Sequence, residues 1–264
     1  MKKEWDRFLK AAIRAAKQAG DIQRRGLGKP HHIQYKGEIN LVTEVDCACE
    51  SAIVKILQKE FPGHDFLMEE SGKIEKQSDY KWIIDPLDGT TNFAHGYPLF
   101  CVSIGLEYKK KIILGVVLDP NRKELFVGIR GGGATLNGRR IRVSKVSRLK
   151  QALLVTGFAY DVYEKKNNNL KNFSNFILNA QAVRRDGVAA LDLCYVACGR
   201  YDGFWEMDLW PWDISAGSLI LEEAGGQVTA FDGSTFNLYG KETLSSNGLI
   251  HPEMVKLFND HATS

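Results

Sequence analysis

The chain has little of what a disulfide-stapled, secreted or membrane-inserted protein needs. Its 264 residues include five cysteines, an odd number with no Cys-x-x-Cys spacing. Neither a disulfide framework nor a zinc ribbon is expected from that pattern. Cys47 and Cys49 lie two apart, and Cys194 and Cys198 lie four apart on one face of an expected helix. All read as small apolar residues in a reducing compartment. Six histidines include the pair His31-His32, but no His-Glu-x-x-His occurs. No apolar run approaches the roughly 18 residues of a membrane span. The first residues are charged and lack the apolar stretch of a secretory leader, so a cytoplasmic location is the expectation. Charge of one sign is also lacking: 35 Lys and Arg face 32 Asp and Glu, for a net +3. That balance argues against an obligate nucleic-acid binder. No internal repeat or low-complexity tract occurs.

What is present is enough apolar material, 44% of residues, for one large domain or two packed halves. Trp5, Phe8, Leu9, Ala12, Ile13 and Ala16 recur at helical spacing, which predicts a helix over 3–25. A short extended segment is expected from His32 to Tyr35. Thr43-Glu44-Val45-Asp46 reads as a capping box opening a second helix, which Phe61-Pro62-Gly63 ends. Strand-like runs follow at 66–68, 82–84, 100–108, 112–118 and 124–130, and Asn137-Gly138 signals a hairpin. The basic stretch 139–150 is the expected junction between halves 1–145 and 146–264, which together form one catalytic unit. Beyond it the pattern alternates: strand 153–156, helix 162–178, strand 182–185, helix 188–198, strand 202–206, helix 213–224 and strand 226–230. A strand near 243–246 and a helix over 252–260 close the chain. Such alternation implies helices layered on sheets, an α/β class.

The chemistry is concentrated in carboxylates. In Trp82 to Phe93 an apolar strand delivers Asp85 at its end, Pro86 is expected to turn the chain, and Asp88 follows three residues on. Gly89 permits a close backbone approach, and Thr90 can open a short helix whose free amides suit a phosphate. Hard oxygen donors beside an anion site describe a Mg²⁺-phosphate centre. Asp-Pro-x-Asp-Gly is equally a good surface turn, but Ile83 and Ile84 place these acids at the edge of a buried strand. Glu69-Glu70 follows a second apolar run, and such neighbours repel unless solvated or sharing a cation. Trp210-Pro211-Trp212-Asp213 opens a helix. There Asp213 reads either as a first-turn acid favoured by the helix dipole or as a carboxylate held by buried tryptophans. Capping alone accounts for Asp46.

In order and context these segments resemble the inositol monophosphatase family of Mg²⁺-dependent, lithium-sensitive phosphatases. The resemblance is carried by Asn40-Leu41-Val42-Thr43-Glu44-Val45-Asp46, by Glu69-Glu70-Ser71 and by Trp82 through His95. It is carried also by Trp212-Asp213-Ile214-Ser215-Ala216-Gly217 with Glu223-Ala224-Gly225-Gly226. It implies an αβαβα sandwich, a homodimer, and two to three Mg²⁺ ions. Glu69, Asp85 and the Leu87 carbonyl would hold the first ion. Asp85, Asp88 and Asp213 would hold the second, with a weaker third near Glu69. The catalytic set it implies is Asp46, Thr90 and Glu69, the first two orienting the attacking water. The Gly89 and Thr90 amides would bind the phosphate, and Gly187, Val188, Ala189 and Glu206 the alcohol. Arg184 and Arg185 are candidates to reach a second phosphate. Family members often carry Ser or Thr where this chain has Val188, Ala where it has Ser215, and Gly where it has Met68.

The implied activity is hydrolysis of inositol monophosphate or a similar small phosphorylated alcohol or sugar. Fructose 1,6-bisphosphate, histidinol phosphate and nucleotide 3′-phosphates are alternatives on the same site. A relative that regulates through RNA or polymerase is an alternative of another class, hinted at only by Arg139-Arg140-Ile141-Arg142. A two-metal nuclease is disfavoured by the near-neutral charge.

Overall fold

Five small residues line the buried side of the first helix. In the computed structural model, which describes residues 2–29, 33–35, 41–166 and 168–259, α1 (Lys2–Gly26) buries Ala11, Ala12, Ala15, Ala16 and Ala19 together with Phe8. Small side chains let a second helix approach closely, and Cys49 Sγ reaches the Ala19 carbonyl at 3.5 Å. Strands β1 (Ile33–Tyr35) and β2 (Leu41–Thr43) form an antiparallel ribbon leading into that helix, α2 (Glu44–Glu60). The capping box is present: the Thr43 amide donates to Asp46 Oδ2 at 2.9 Å and the Val45 amide to Thr43 Oγ1 at 3.2 Å. His31, His32, Asn40 and the last residue of the expected 252–260 helix lie outside the described residues.

A sheet of eight strands follows: β3 (Asp65–Met68), β4 (Gly72–Ile74), β5 (Tyr80–Asp88), β6 (Cys101–Tyr108), β7 (Lys111–Asp119), β8 (Glu124–Ile129), β9 (Gly133–Leu136) and β10 (Arg139–Arg140). Their order is β10-β9-β8-β7-β6-β5-β3-β4. A short helix, α3 (Thr90–Ala94), interrupts the path between β5 and β6. The Asn137-Gly138 turn joins β9 to β10 with both residues at positive φ, as a two-residue hairpin requires.

The second sheet has the order β12-β11-β13-β15-β14. Its elements run β11 (Leu153–Thr156), α4 (Leu170–Asn179), β12 (Ala182–Arg184), α5 (Ala189–Ala197), β13 (Gly203–Met207), α6 (Pro211–Glu223), β14 (Gln227–Thr229), β15 (Glu242–Ser246) and α7 (His251–Asn259). Strand β11 is parallel to both β12 and β13.

The layers follow from which residues share a core. One core joins α1 and α2 to Trp82, Ile84, Val102, Ile104 and Val116 on one face of the first sheet. A second joins α5 and α6 to Val117 and Phe126 of the first sheet and to Val155 and Phe204 of the second. A third joins Phe176 of α4 and Met254 of α7 to Leu154, Trp205 and Leu244. The result is the layered αβαβα sandwich. Helix α6 lies on the first sheet because three strands are bare beneath it. Gly105, Gly115 and Gly128 sit side by side on β6, β7 and β8. A Cβ at Gly115 would come within 2.6 Å of the Ala216 carbonyl oxygen. No side chain fits between them.

Three expectations change. Pro86 does not end the strand, since β5 continues to Asp88 through a bulge. Asp85 faces Ser103 and Asp88 faces Cys101, so three steps on β5 match two on β6. Side chains three apart in a regular strand point to opposite faces, and one extra residue restores them to the same side. The helix expected over 162–178 begins only at Leu170. Asn168 spends its amide on the Val162 and Lys165 carbonyls, and buried Asn169 bonds Thr156 Oγ1 and the Gly157 carbonyl. Side chains that bond local backbone in this way favour turns over helix. Lastly, Cys47 is exposed on α2 rather than buried. Among the described residues no helix is long and apolar enough to cross a membrane.

Candidate active site

Four acids from three separated stretches of chain meet at one cavity. It has a volume of about 460 Å³, and Glu69, Asp85, Asp88 and Asp213 all line it. Each is placed by a different local device. Parallel pairing of β3 with β5 brings the end of β3 beside the end of β5. The Glu69 amide then donates to the Ile84 carbonyl at 3.2 Å, next to Asp85. Asp85 is buried and accepts the Leu87 amide at 2.9 Å. Asp88, aligned with it by the bulge, accepts the Ala190 amide from α5 at 2.7 Å. Asp213 sits in the first turn of α6 and accepts the Trp210 amide at 2.7 Å. Ser103 on β6 donates to the Trp212 carbonyl at 3.2 Å, fixing that helix start beside β5.

The capping role read for Asp46 and the first-turn role read for Asp213 therefore both hold. Asp46 does more than cap. It is fully buried and accepts the Thr90 hydroxyl at 3.0 Å on Oδ1, while the Leu87 carbonyl lies 3.0 Å from the same hydroxyl. Gly89 stands between β5 and α3 at φ +95°, a conformation that L side chains rarely adopt.

The electrostatics describe buried acids that repel one another. Burial, then the neighbouring charges of Glu69, Asp88 and Asp213, push Asp85 well above the carboxylate range. Burial raises Asp88 to about 7, against the opposing Ala190 amide. Burial and then Asp88 raise Asp213 to about 8. No cationic side chain is among the principal influences on these three. Like charges in low dielectric hold their protons, and a divalent cation would reverse the effect. The donors are all hard oxygens, which suit Mg²⁺, Mn²⁺ or Ca²⁺. Among the described residues no three Asp, Glu, His or Cys side chains are drawn into a closed ligand cluster. The acids share a cavity wall.

The remaining candidates divide. Leu87, Gly89, Thr90, Gly187, Ala189, Glu206 and Arg185 line the same cavity. Glu206, from β13, is raised to about 8 by burial and by Asp213, with Arg185 opposing. Its carboxylate lies against Gly157, where a Cβ would approach it within 2.3 Å. Val188 and Arg184 are not cavity residues. Val188 is fully buried with Cγ2 packed toward Gly89. Arg184 is exposed at the end of β12. Arg185, one residue beyond β12 and also exposed, is the one of the pair that lines the cavity. The two tryptophans are not buried supports either. They stack with centroids 5.3 Å apart at the cavity rim, Trp210 being 55% exposed with Lys241 over its ring. The sequence reading missed Tyr160, Lys165, Asp208 and Lys241, which also line the cavity. They sit in loops whose path no periodicity reveals.

With this geometry in hand, a sequence profile of the inositol monophosphatase family matches residues 4–263. The chain belongs to the inositol monophosphatase family. An inositol-1-monophosphatase from Synechocystis is 47% identical over 249 residues, covering 94% of this chain and 87% of that protein. A protein named Nus factor SuhB from Pseudomonas aeruginosa is 48% identical over 234 residues, covering 86% of each. The solved inositol monophosphatase of Anabaena (Nostoc) superposes with a TM-score of 0.90 at 45% identity, covering 97% of both chains. Membership makes the chain a phosphatase of phosphate monoesters built on the family's layered α/β fold.

Proposed function

We propose that the protein is a Mg²⁺-dependent phosphatase of inositol monophosphate or a closely similar phosphorylated alcohol, using a water molecule as the nucleophile. The observation that carries this is the crowding of Asp85 by Glu69, Asp88 and Asp213 at one cavity, with no cationic side chain among the principal influences on Asp85. Glu69, Asp85 and the Leu87 carbonyl would hold one ion, and Asp85, Asp88 and Asp213 a second, with a weaker third near Glu69. Bound there, two or three Mg²⁺ ions would neutralise phosphate oxygens and make water a stronger acid.

The chain's own groups supply orientation. The single hydrogen of the Thr90 hydroxyl is shared between the Asp46 and Leu87 oxygens, so its lone pairs remain to accept a hydrogen bond from the attacking water. The Gly89 and Thr90 amides donate to the phosphate. Glu206, Gly187 and Ala189 contact the alcohol, and Arg185 stands where a further anionic group would reach. No Ser, Cys or His nucleophile is needed, because the phosphoryl group passes directly to water.

Phosphate release from a panel of esters tests the reading. Inositol 1-phosphate turnover that requires Mg²⁺, and is inhibited by LiCl but not by KCl, is the expected result. Release from no ester removes the proposal, and preference for fructose 1,6-bisphosphate, histidinol phosphate or a nucleotide 3′-phosphate changes the substrate. The two halves, 1–145 and 146–264, act as one catalytic unit in a cytoplasmic homodimer, which light scattering tests. A second reading rests on the relative named Nus factor SuhB. Retention of an RNA or polymerase partner at physiological salt would support a regulatory role beside the enzymatic one.

A further inference from the structure

Glu50 is a buried carboxylate that the mechanism above does not use. It lies one turn beyond Asp46 on α2, 2% exposed, and it is not among the residues lining the cavity. A buried charge is costly unless hydrogen bonds satisfy it. Among the described residues its donors all come from one turn, the link between β3 and β4. The Glu70 amide donates to Oε2 at 2.9 Å, the Ser71 amide to Oε1 at 2.9 Å, and the Ser71 hydroxyl also to Oε1. That turn begins with Glu69. Upstream, the Glu69 amide is tied to the Ile84 carbonyl. Downstream, the next two residues are tied to Glu50. Glu69 is thus held between one anchor on β5 and one on α2.

We propose that Glu50 is a positioning residue for the acidic arm of the site: it clamps the Glu70-Ser71 backbone so that the Glu69 carboxylate meets a divalent cation in a fixed place. Helix α2 then presents two carboxylates one turn apart, both behind the cavity wall. Asp46 holds Thr90, and Glu50 holds the Glu69 turn. This rests on reading the cavity as a divalent-cation centre. Without the clamp the turn keeps its sheet pairing but loses the bonds that set its tip, and the cation site loses a pre-placed ligand.

Glu50→Gln preserves shape and removes one acceptor oxygen, setting an amide group against a backbone donor. Mn²⁺ binding followed by electron paramagnetic resonance should weaken on the order of 10–100-fold, the usual cost of losing a group that orients a ligand. The Mg²⁺ concentration for half-maximal turnover should rise in parallel. Turnover at saturating Mg²⁺ should recover, and the substrate KM should move little. Glu50→Asp should restore part of the affinity. Unchanged Mn²⁺ affinity in Glu50→Gln, even with a lowered melting temperature, would make Glu50 a purely structural tie and overturn the proposal. If Glu50→Gln does not fold, Ser71→Ala removes one bond and should shift metal affinity the same way by a few-fold; no shift overturns the proposal. Wild-type protein that binds neither Mn²⁺ nor Mg²⁺ would instead sink the assignment of the cavity itself.

Discussion

Asp88 and Ala190 lie 102 residues apart in the chain, and the amide of one donates to the carboxylate of the other at 2.7 Å. The bond joins the end of a strand in the first sheet to the first turn of α5, which packs under the second sheet. Asn92 adds a parallel tie, donating to the Asp186 carbonyl at 2.9 Å. The cavity therefore exists only when both sheets are in place.

Replacing Asp88 tests the cation site without dismantling the core. Asp88→Asn keeps an oxygen for the Ala190 amide but loses a negative charge. Turnover at saturating Mg²⁺ should fall by on the order of 10²-fold or more, since the role proposed for Asp88 is to hold a cation that offsets charge developing in the transition state. The circular dichroism spectrum should be unchanged. Wild-type turnover in this variant would contradict the role given to Asp88.

Metal binding should be coupled to protons. Asp88 and Asp213 are raised to about 7 and about 8, so without metal part of the site is protonated at neutral pH. Mg²⁺ addition should release protons, seen by calorimetry in buffers of different ionisation enthalpy, and affinity should rise with pH through this range. The folded apo protein binds more protons than the unfolded chain, whose carboxylates have a pKa near 3.9. Apo stability should therefore fall as pH rises from about 4 to about 8. Added Mg²⁺ should raise the melting temperature most at the alkaline end. A melting temperature in EDTA that climbs over that interval would contradict the raised values.

The glycine row under α6 predicts a large stability effect far from any catalytic group. Gly115→Ala sets a methyl against the Ala216 backbone at 2.6 Å. Backbone cannot yield as a side-chain tip can, and overpacking of this kind costs about 1–3 kcal/mol or more. Because α6 carries Asp213, activity should fall together with the urea midpoint. A wild-type midpoint would show that the helix can lift without cost.

Ser215 predicts the opposite sign. It is fully buried, faces Gly105, and its hydroxyl has no hydrogen-bond partner among the described residues. Leaving a buried hydroxyl unpaired costs about 1–3 kcal/mol. Ser215→Ala should raise the melting temperature by roughly 2–4 °C per kcal/mol recovered, with turnover unaffected. A lower melting temperature would mean that the hydroxyl is satisfied in solution.

Which acids line the cavity was legible early, because Asp85, Asp88 and Glu69 each follow an apolar run and Asp213 opens a helix after Pro211. The capping box at Thr43 and the Asn137-Gly138 hairpin were equally plain, since both depend on contacts within four residues. The start of α4 was not, because Asn169 finds partners in Thr156 and Trp205 that the local pattern does not display. Nor could sequence separate Arg185 from Arg184, or show that Val188 packs on Gly89 instead of facing the cavity.

By itself, then, the sequence determined the family, the layered α/β class and the acids available, because short-range periodicity and motif chemistry are written in neighbouring residues. Only the tertiary structure decided which groups converge. The bulge that turns Asp85 and Asp88 to one side depends on pairing with β6. The place of Asp213 depends on three glycines of other strands beneath α6. The hold on Glu69 depends on a carboxylate from α2. Each is a long-range relation, set by packing and hydrogen bonds between segments that no local pattern connects.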